Sequence, residues 1–316
     1  MPQVSVIVLT YNPDNRKLRQ TLSAVAAQKG VSFEILISDD GSGRKDYSFL
    51  PEYMQALGAE NYRLLEHKEN RGTVESCLSA VKAATGRYVL LTSPGDYLFD
   101  EYVLRDLYDF ACRHEAKLCF GNAVFYNADG GTPVLTKTFG SPAQPGFYAP
   151  DAPEEIAKLS FFGGNWVIGA SYFRERELML SCLEQIRGES KYTEDNPSTA
   201  FALAAGHRLF YCDRNMVWYE DGTGVSTGAS EKWKKLLHED ALRSFRKLKG
   251  LYPKDPCVDI AWRNLSVRNR LLRILGRLLR HPVLSARLYR CKKAAGKPIT
   301  CSPEDLSRLS RLLETQ

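Results

Sequence analysis

The sequence predicts an α/β fold: an open, mostly parallel central sheet flanked by helices, followed by a basic helical C-terminal extension. Three observations carry that prediction. Short apolar runs rich in β-branched residues alternate with stretches of helical spacing through the first 220 or so residues, the pattern of repeated strand–helix–strand units. The first four of these runs each stop at a polar turn, and in such units the turns share one edge of the sheet, where open α/β sheets bind ligands. The excess of positive charge is confined to the chain after Lys232.

Taken in order, Val4-Ser5-Val6-Ile7-Val8-Leu9 reads as a buried strand closed by the turn Thr10-Tyr11-Asn12-Pro13-Asp14. Leu18, Leu22, Val25 and Ala26 recur at helical spacing, with Gly30 as the stop, and Phe33 to Ser38 is a second strand ending in Asp39-Asp40-Gly41-Ser42. A helix around Tyr53 to Leu57 and a strand at Tyr62 to Glu66 lead to Glu69-Asn70-Arg71-Gly72. The spacing then predicts a helix from Thr73 to Ala84, a stop at Gly86, and a strand Tyr88 to Thr92 running into Ser93-Pro94-Gly95-Asp96. Strand, helix, strand and turn form right-handed units. The tips at Thr10 to Asn12, Asp39-Asp40, Asn70 to Gly72 and Ser93 to Asp96 therefore converge on one crevice.

Beyond Glu101 the pattern gives a helix to about His114 and a further apolar segment, Lys117 to Phe125. Asn127 to Pro153 is dense in Gly and Pro and reads as a long loop or hairpin. Phe161 to Trp166 contains Gly163 and Gly164, which permit close backbone approach, among aromatics able to line a pocket. Glu194 and Asp195 stand just before a helix whose first turn suits Pro197. Arg208 to Tyr219 reads as another strand, and Glu220 to Ser226 as a Gly-rich turn.

The totals exclude some classes. Of 316 residues, 44% are hydrophobic and 25% charged, which is ordinary globular material. No apolar run approaches the roughly 20 residues that span a bilayer, and no secretory leader is recognisable. Eight dispersed cysteines without a CxxC pair read as free thiols of a reducing compartment, so a cytosolic protein is expected. Between Lys232 and Lys293 there are 18 Lys and Arg against 4 Asp and Glu, about +14, so a net charge of +6 leaves 6 − 14 = −8 for the rest. Nucleic-acid binding is not expected, because the basic region lacks an aromatic–basic module. The five histidines show no metal-type grouping and are assigned no chemistry.

The motifs Thr10-Tyr11-Asn12, Ser38-Asp39-Asp40-Gly41-Ser42, Asn70-Arg71-Gly72, Ala84-Thr85-Gly86-Arg87-Tyr88 and Thr193-Glu194-Asp195 occur in an order and spacing that resembles the family 2 inverting glycosyltransferases of the GT-A fold. The resemblance covers the first 220 or so residues. It implies a GT-A catalytic domain over 1–228 and a basic helical region over 229–316. It also implies a nucleotide-sugar donor, UDP-linked, and a saccharide or lipid-linked acceptor in cell-surface glycan synthesis.

On that pattern Thr10, Tyr11 and Asn12 sit beside the nucleoside, Asp39 accepts a hydrogen bond from the base, and Asp40 fixes the loop. Arg71, next to Gly72, points at the diphosphate. Asp96 binds the cofactor, Mn2+ or Mg2+. Asp195 is the catalytic base, Glu194 stands beside it, and Gly163, Gly164 and Trp166 form the acceptor-side wall. The chain departs from the family at Ser93-Pro94-Gly95-Asp96, where many members show Asp-x-Asp-Asp. A single carboxylate implies that metal and donor bind together. Two other readings remain open at this point, a sugar-nucleotide nucleotidyltransferase and a degenerate, non-catalytic binding subunit.

Val267 to Arg290 carries an apolar face (Leu271, Leu272, Ile274, Leu275, Leu278, Leu279) opposite a row of arginines. Such a helix either lies on an anionic membrane surface, which would make the protein peripheral on the inner face, or packs its leucines on the catalytic domain or a second subunit.

Overall fold

The computed structural model describes residues 1–128, 131–137, 160–161, 167–222, 230–283, 285–286, 289 and 300–315. Among the described residues nine strands form one sheet: β1 (Val4–Thr10), β2 (Phe33–Asp39), β3 (Tyr62–Glu66), β4 (Tyr88–Thr92), β5 (Asp96–Leu98), β6 (Leu118–Asn127), β7 (Val134–Leu135), β8 (Tyr172–Glu175) and β9 (Phe210–Glu220). Their order is β3-β2-β1-β4-β8-β6-β9-β5, with β7 hairpinned onto β6. The four strands β3, β2, β1 and β4 are parallel, in the register that pairs Thr10 with Asp39 and Asp39 with Glu66. All four predicted tips therefore lie on one edge. Beyond β4 the sheet turns mixed, because β8 runs antiparallel to both β4 and β6.

The helices α1 (Asn15–Ala26), α2 (Leu50–Ala56), α3 (Thr73–Ala83), α4 (Val103–Arg113), α5 (Arg176–Ile186) and α6 (Asp195–Ala204) cover the sheet. Alternate strand residues enter two separate cores. Ile7, Leu36, Val89 and Leu91 pack with α3, α5 and α6, whereas Val6, Val8, Ile35 and Leu90 pack with α1, α2 and α4. Burial on both faces is why these strands read as continuous apolar runs. Asp14 starts α1 by accepting from the backbone N–H groups of Arg16 and Lys17.

A carboxylate is buried in the seam between β1 and β2. Glu34 accepts from Ser5 and Arg63 and twice from Thr85. Burial acts to raise its pKa, but those donors outweigh it and hold the carboxyl below its ordinary range. Gly86 lies in the same seam. A Cβ there would come within 2.6 Å of the Ser5 nitrogen, so the glycine serves a close approach to β1, three residues beyond the end of α3.

The C-terminal region is helical: α7 (Glu231–Leu251), α8 (Pro256–Ser266), α9 (Arg270–Arg280) and α10 (Pro303–Glu314). Phe245 and Leu248 of α7 and Val258 of α8 enter the α3-side core, while Leu309 of α10 enters the other. The α10 end is fastened to α1, since Arg16 and Gln20 both donate to the Leu313 carbonyl, at 2.7 and 2.8 Å. Among the described residues no helix is long and apolar enough to cross a membrane. The seven described cysteines are free.

Candidate active site

A cavity of about 720 Å³ opens at the strand-tip edge. Of the residues singled out from the sequence, Tyr11, Asn12, Asp96, Glu194 and Asp195 line it. Thr10, Asp39, Asp40, Arg71 and Gly72 are not among its described lining residues. Gly163, Gly164 and Trp166 lie outside the described residues, as do most of the loop predicted over Asn127 to Pro153 and much of the Gly-rich turn after Glu220.

The β1 and β2 tips form a tightly bonded knot. Asp39 is fully buried, and both its oxygens are engaged: Oδ1 by Tyr47 (2.8 Å), Thr10 (3.3 Å) and the Ser42 hydroxyl, Oδ2 by the Ser42 N–H (3.0 Å) and Lys45 (3.4 Å). Burial would raise this carboxyl, but its donors, Ser42 foremost, hold it below the usual range. The same knot sets Asn12, whose φ is 46° and whose N–H donates to Ser42 Oγ while its side chain accepts from the Arg44 N–H. Tyr11 is left projecting, 55% exposed, with its ring on the cavity wall.

Asp40 holds the neighbouring tip. Its two oxygens accept from the N–H groups of Arg71 (2.9 Å) and Gly72 (2.8 Å), which fixes the loop from which the half-exposed Arg71 guanidinium reaches out. Gly72 has φ 93°, and a Cβ there would strike Lys191 at 2.4 Å. Only a glycine permits this backbone and this contact.

At the β4 tip, Gly95 (φ 103°) turns the chain so that Asp96 opens β5 beside Glu220, the last residue of β9. Lys17 pairs with Glu220 at 2.5 Å. Burial, and next the charge of Glu220, push Asp96 up to about 8. Among the described residues no three His, Cys, Asp or Glu side chains are grouped to hold a metal ion by themselves. The donor set nevertheless fits a hard cation that also takes phosphate oxygens. It offers a carboxylate on the cavity wall whose charged form is disfavoured by burial and by a second carboxylate, a penalty a divalent cation would relieve.

Glu194 and Asp195 begin α6, where the helix N-terminus favours negative charge. The turn Gly169–Ser171 lies against them, and a Cβ on Gly169 would come to 3.0 Å from Glu194 Oε1 and 3.5 Å from Asp195 Oδ2. Arg174 of β8 is buried behind the pair, its Nη1 3.7 Å from Glu194 Oε2 and its guanidinium over the Tyr172 ring. Burial raises the pKa of both carboxyls. Asp195 raises Glu194 further and Arg174 draws it back, while the Asn196 N–H, Arg174 and the Gly169 N–H moderate Asp195.

Sequence reading missed several wall residues. Glu220 ends a strand as the other tips do, and Lys17 lies in the first turn of α1, so both were findable from position. His238 of α7, assigned no chemistry from the sequence, lines the cavity with Leu237 and Phe245. Arg174 carried no local signal, because a four-residue strand with two charged residues does not read as buried.

Residues 5–176, more than half of the 316, match the model of Glycosyl transferase family 2. The chain belongs to that family. Membership sets aside the nucleotidyltransferase reading. Among solved structures the chain is similar to S. aureus TarS in complex with UDP (17% identity, TM-score 0.60, covering 91% of this chain and 78% of that one) and with UDP-GlcNAc (16%, 0.58, 99% and 90%). It is also similar to the mannosyltransferase PcManGT of Pyrobaculum calidifontis in complex with GDP-Man and Mn2+ (14%, 0.55, 99% and 85%). At these identities the likeness is one of fold, and the fold is GT-A. No curated protein matches the chain.

Proposed function

We propose that this family 2 enzyme is an inverting glycosyltransferase that moves a hexosyl unit from a UDP-linked donor to a saccharide or lipid-linked acceptor of cell-surface glycan synthesis, working in the cytosol at the inner face of the membrane. The observation that carries the reading is the acid pair Glu194–Asp195, the first buried and the second partly exposed, on the wall of the same cavity as the partly exposed Asp96 and Tyr11. Inversion by direct displacement requires a carboxylate within reach of the acceptor hydroxyl, on the face opposite the leaving nucleotide. A carboxyl raised by burial is a stronger base once ionised, and Asp195 is in that state. The UDP donor is supported by the fold shared with UDP-bound TarS.

In this reading Tyr11 stacks beside the nucleoside and Asn12 lines its seat, with Thr10 and Asp39 forming the wall behind. For Asp39 to accept from the base, it must release one internal donor, and Lys45 at 3.4 Å is the loosest. Asp40 presents Arg71 to the diphosphate. Asp96 would hold Mn2+ or Mg2+, which when bound would neutralise charge on the departing diphosphate. Asp195 takes the acceptor proton. Glu194, with Gly163, Gly164 and Trp166, belongs to the acceptor side.

A thermal-shift screen with Mn2+ tests the donor. A ligand at about 100 times its Kd stabilises the native state by about 2.7 kcal/mol, enough to raise Tm by several degrees. UDP-sugars should give that rise and GDP-mannose should not. A larger rise with GDP-mannose, or none with any nucleotide sugar, contradicts the assignment.

A further inference from the structure

Helix α9 is turned the opposite way from a helix that packs on its own protein. Leu271, Leu272, Leu275, Leu278 and Leu279 are 70, 60, 53, 47 and 83% exposed, and no residue of the helix is buried. The arginine face is the one turned inward. Arg273 Nη1 donates to the Asn264 carbonyl at 2.9 Å, Arg280 lies 3.6 Å from Asp259, and Arg273 and Arg277 line a small cavity of about 40 Å³ against α8. Leucines and arginines occupy opposite sides of this helix, so an inward arginine face fixes an outward leucine face. In water that orientation is unfavourable twice over, leaving apolar surface wet while partly covering charged groups. It becomes favourable once the leucine face leaves water.

Charge identifies what covers it. From Ile260 to Pro303 the sequence holds eleven Lys and Arg and no Asp or Glu. Arg268 and Arg270, at the start of the helix, are exposed. Two copies meeting through this face would bring two such segments together and repel, whereas an anionic lipid surface neutralises them. At about 1.5 Å per residue the helix is far too short to span a bilayer, but it suits lying in the interface plane.

We propose that α9 docks the enzyme on an anionic phospholipid surface, with its leucines in the acyl boundary and Arg268 and Arg270 reaching to headgroup phosphates. The face is separate from the strand-tip cavity, so docking does not depend on which donor the enzyme uses.

The test is flotation of the full chain with phosphatidylcholine vesicles, with and without phosphatidylglycerol. The wild type should float only with the phosphatidylglycerol vesicles, and the triple variant Leu271→Glu/Leu275→Glu/Leu279→Glu should bind them roughly a hundredfold more weakly. Because the three side chains are already exposed, Tm should hold within a degree or two. A single Leu275→Trp variant supplies a second readout, a blue shift of its fluorescence on adding the same vesicles. The proposal is overturned if the wild type ignores anionic vesicles, if the triple variant floats as well as the wild type, or if the tryptophan stays in water. It is equally overturned if sedimentation finds a dimer that the triple variant dissolves, since a second copy would then cover the face.

Discussion

Glu194 and Asp195 share a buried space with Arg174, two like charges and one opposite, so the protonation of the pair depends on the balance among the three. Burial lifts both carboxyls and Arg174 opposes the lift. A base works only when ionised, so with Asp195 as the proposed base activity should fall as pH drops through its pKa, and its raised pKa should put that fall above the ordinary carboxylate range. Arg174→Met should move the acidic limb of the kcat/KM profile to higher pH, by about one unit for an opposite charge at this range, and Arg174→Lys should restore part of it. An unmoved limb would mean that Arg174 only packs. None of this was legible locally. The Glu-Asp pair stood out because it precedes a helix, whereas its counter-charge comes from β8, about twenty residues earlier in the sequence. Asp39 shows the converse: the sequence marked it for the ligand, and the structure adds Tyr47, Lys45 and Ser42 as partners that a turn motif cannot announce.

Elements hold the acid pair on the cavity wall through a clamp on the loop that precedes it. Asp240 of α7 is buried and accepts from the N–H groups of Lys191 (2.9 Å) and Tyr192 (2.6 Å) and from the Ser190 hydroxyl (3.2 Å). On the other side the Lys191 carbonyl accepts from the Val74 N–H at the start of α3, directly over Gly72. The loop is thus pinned between the Arg71 tip and the C-terminal region. Asp240→Ala leaves buried donors unsatisfied, which costs about 1–3 kcal/mol. It should lower Tm and reduce kcat while UDP still raises Tm. A variant with wild-type kcat would separate the clamp from catalysis. The first four strands and their helices were readable within a few residues because β1, β2 and β4 are buried on both faces and all four are punctuated by polar turns. The three-residue β5 and four-residue β8 were not, since their strand character comes from pairing with β9, β4 and β6.

Across the whole molecule, one parallel sheet edge gathers tips that are far apart in sequence, and two of them, through Tyr11, Asn12 and Asp96, share a cavity with Glu194–Asp195 at the start of α6. The sequence showed the four tips and the late acid pair, hence the family. It did not show that Leu237, His238 and Phe245 of α7 close the wall, because a basic amphipathic stretch gives no sign of where it folds back. The central claim is that Asp195 is the base of an inverting transfer. Its most direct test is the turnover of Asp195→Asn measured beside UDP binding. The substitution is nearly isosteric, so UDP with Mn2+ should raise Tm as in the wild type, while kcat falls by roughly 10²–10⁴-fold, the usual contribution of general-base catalysis. Turnover within a fewfold of wild type, with binding intact, would contradict the account.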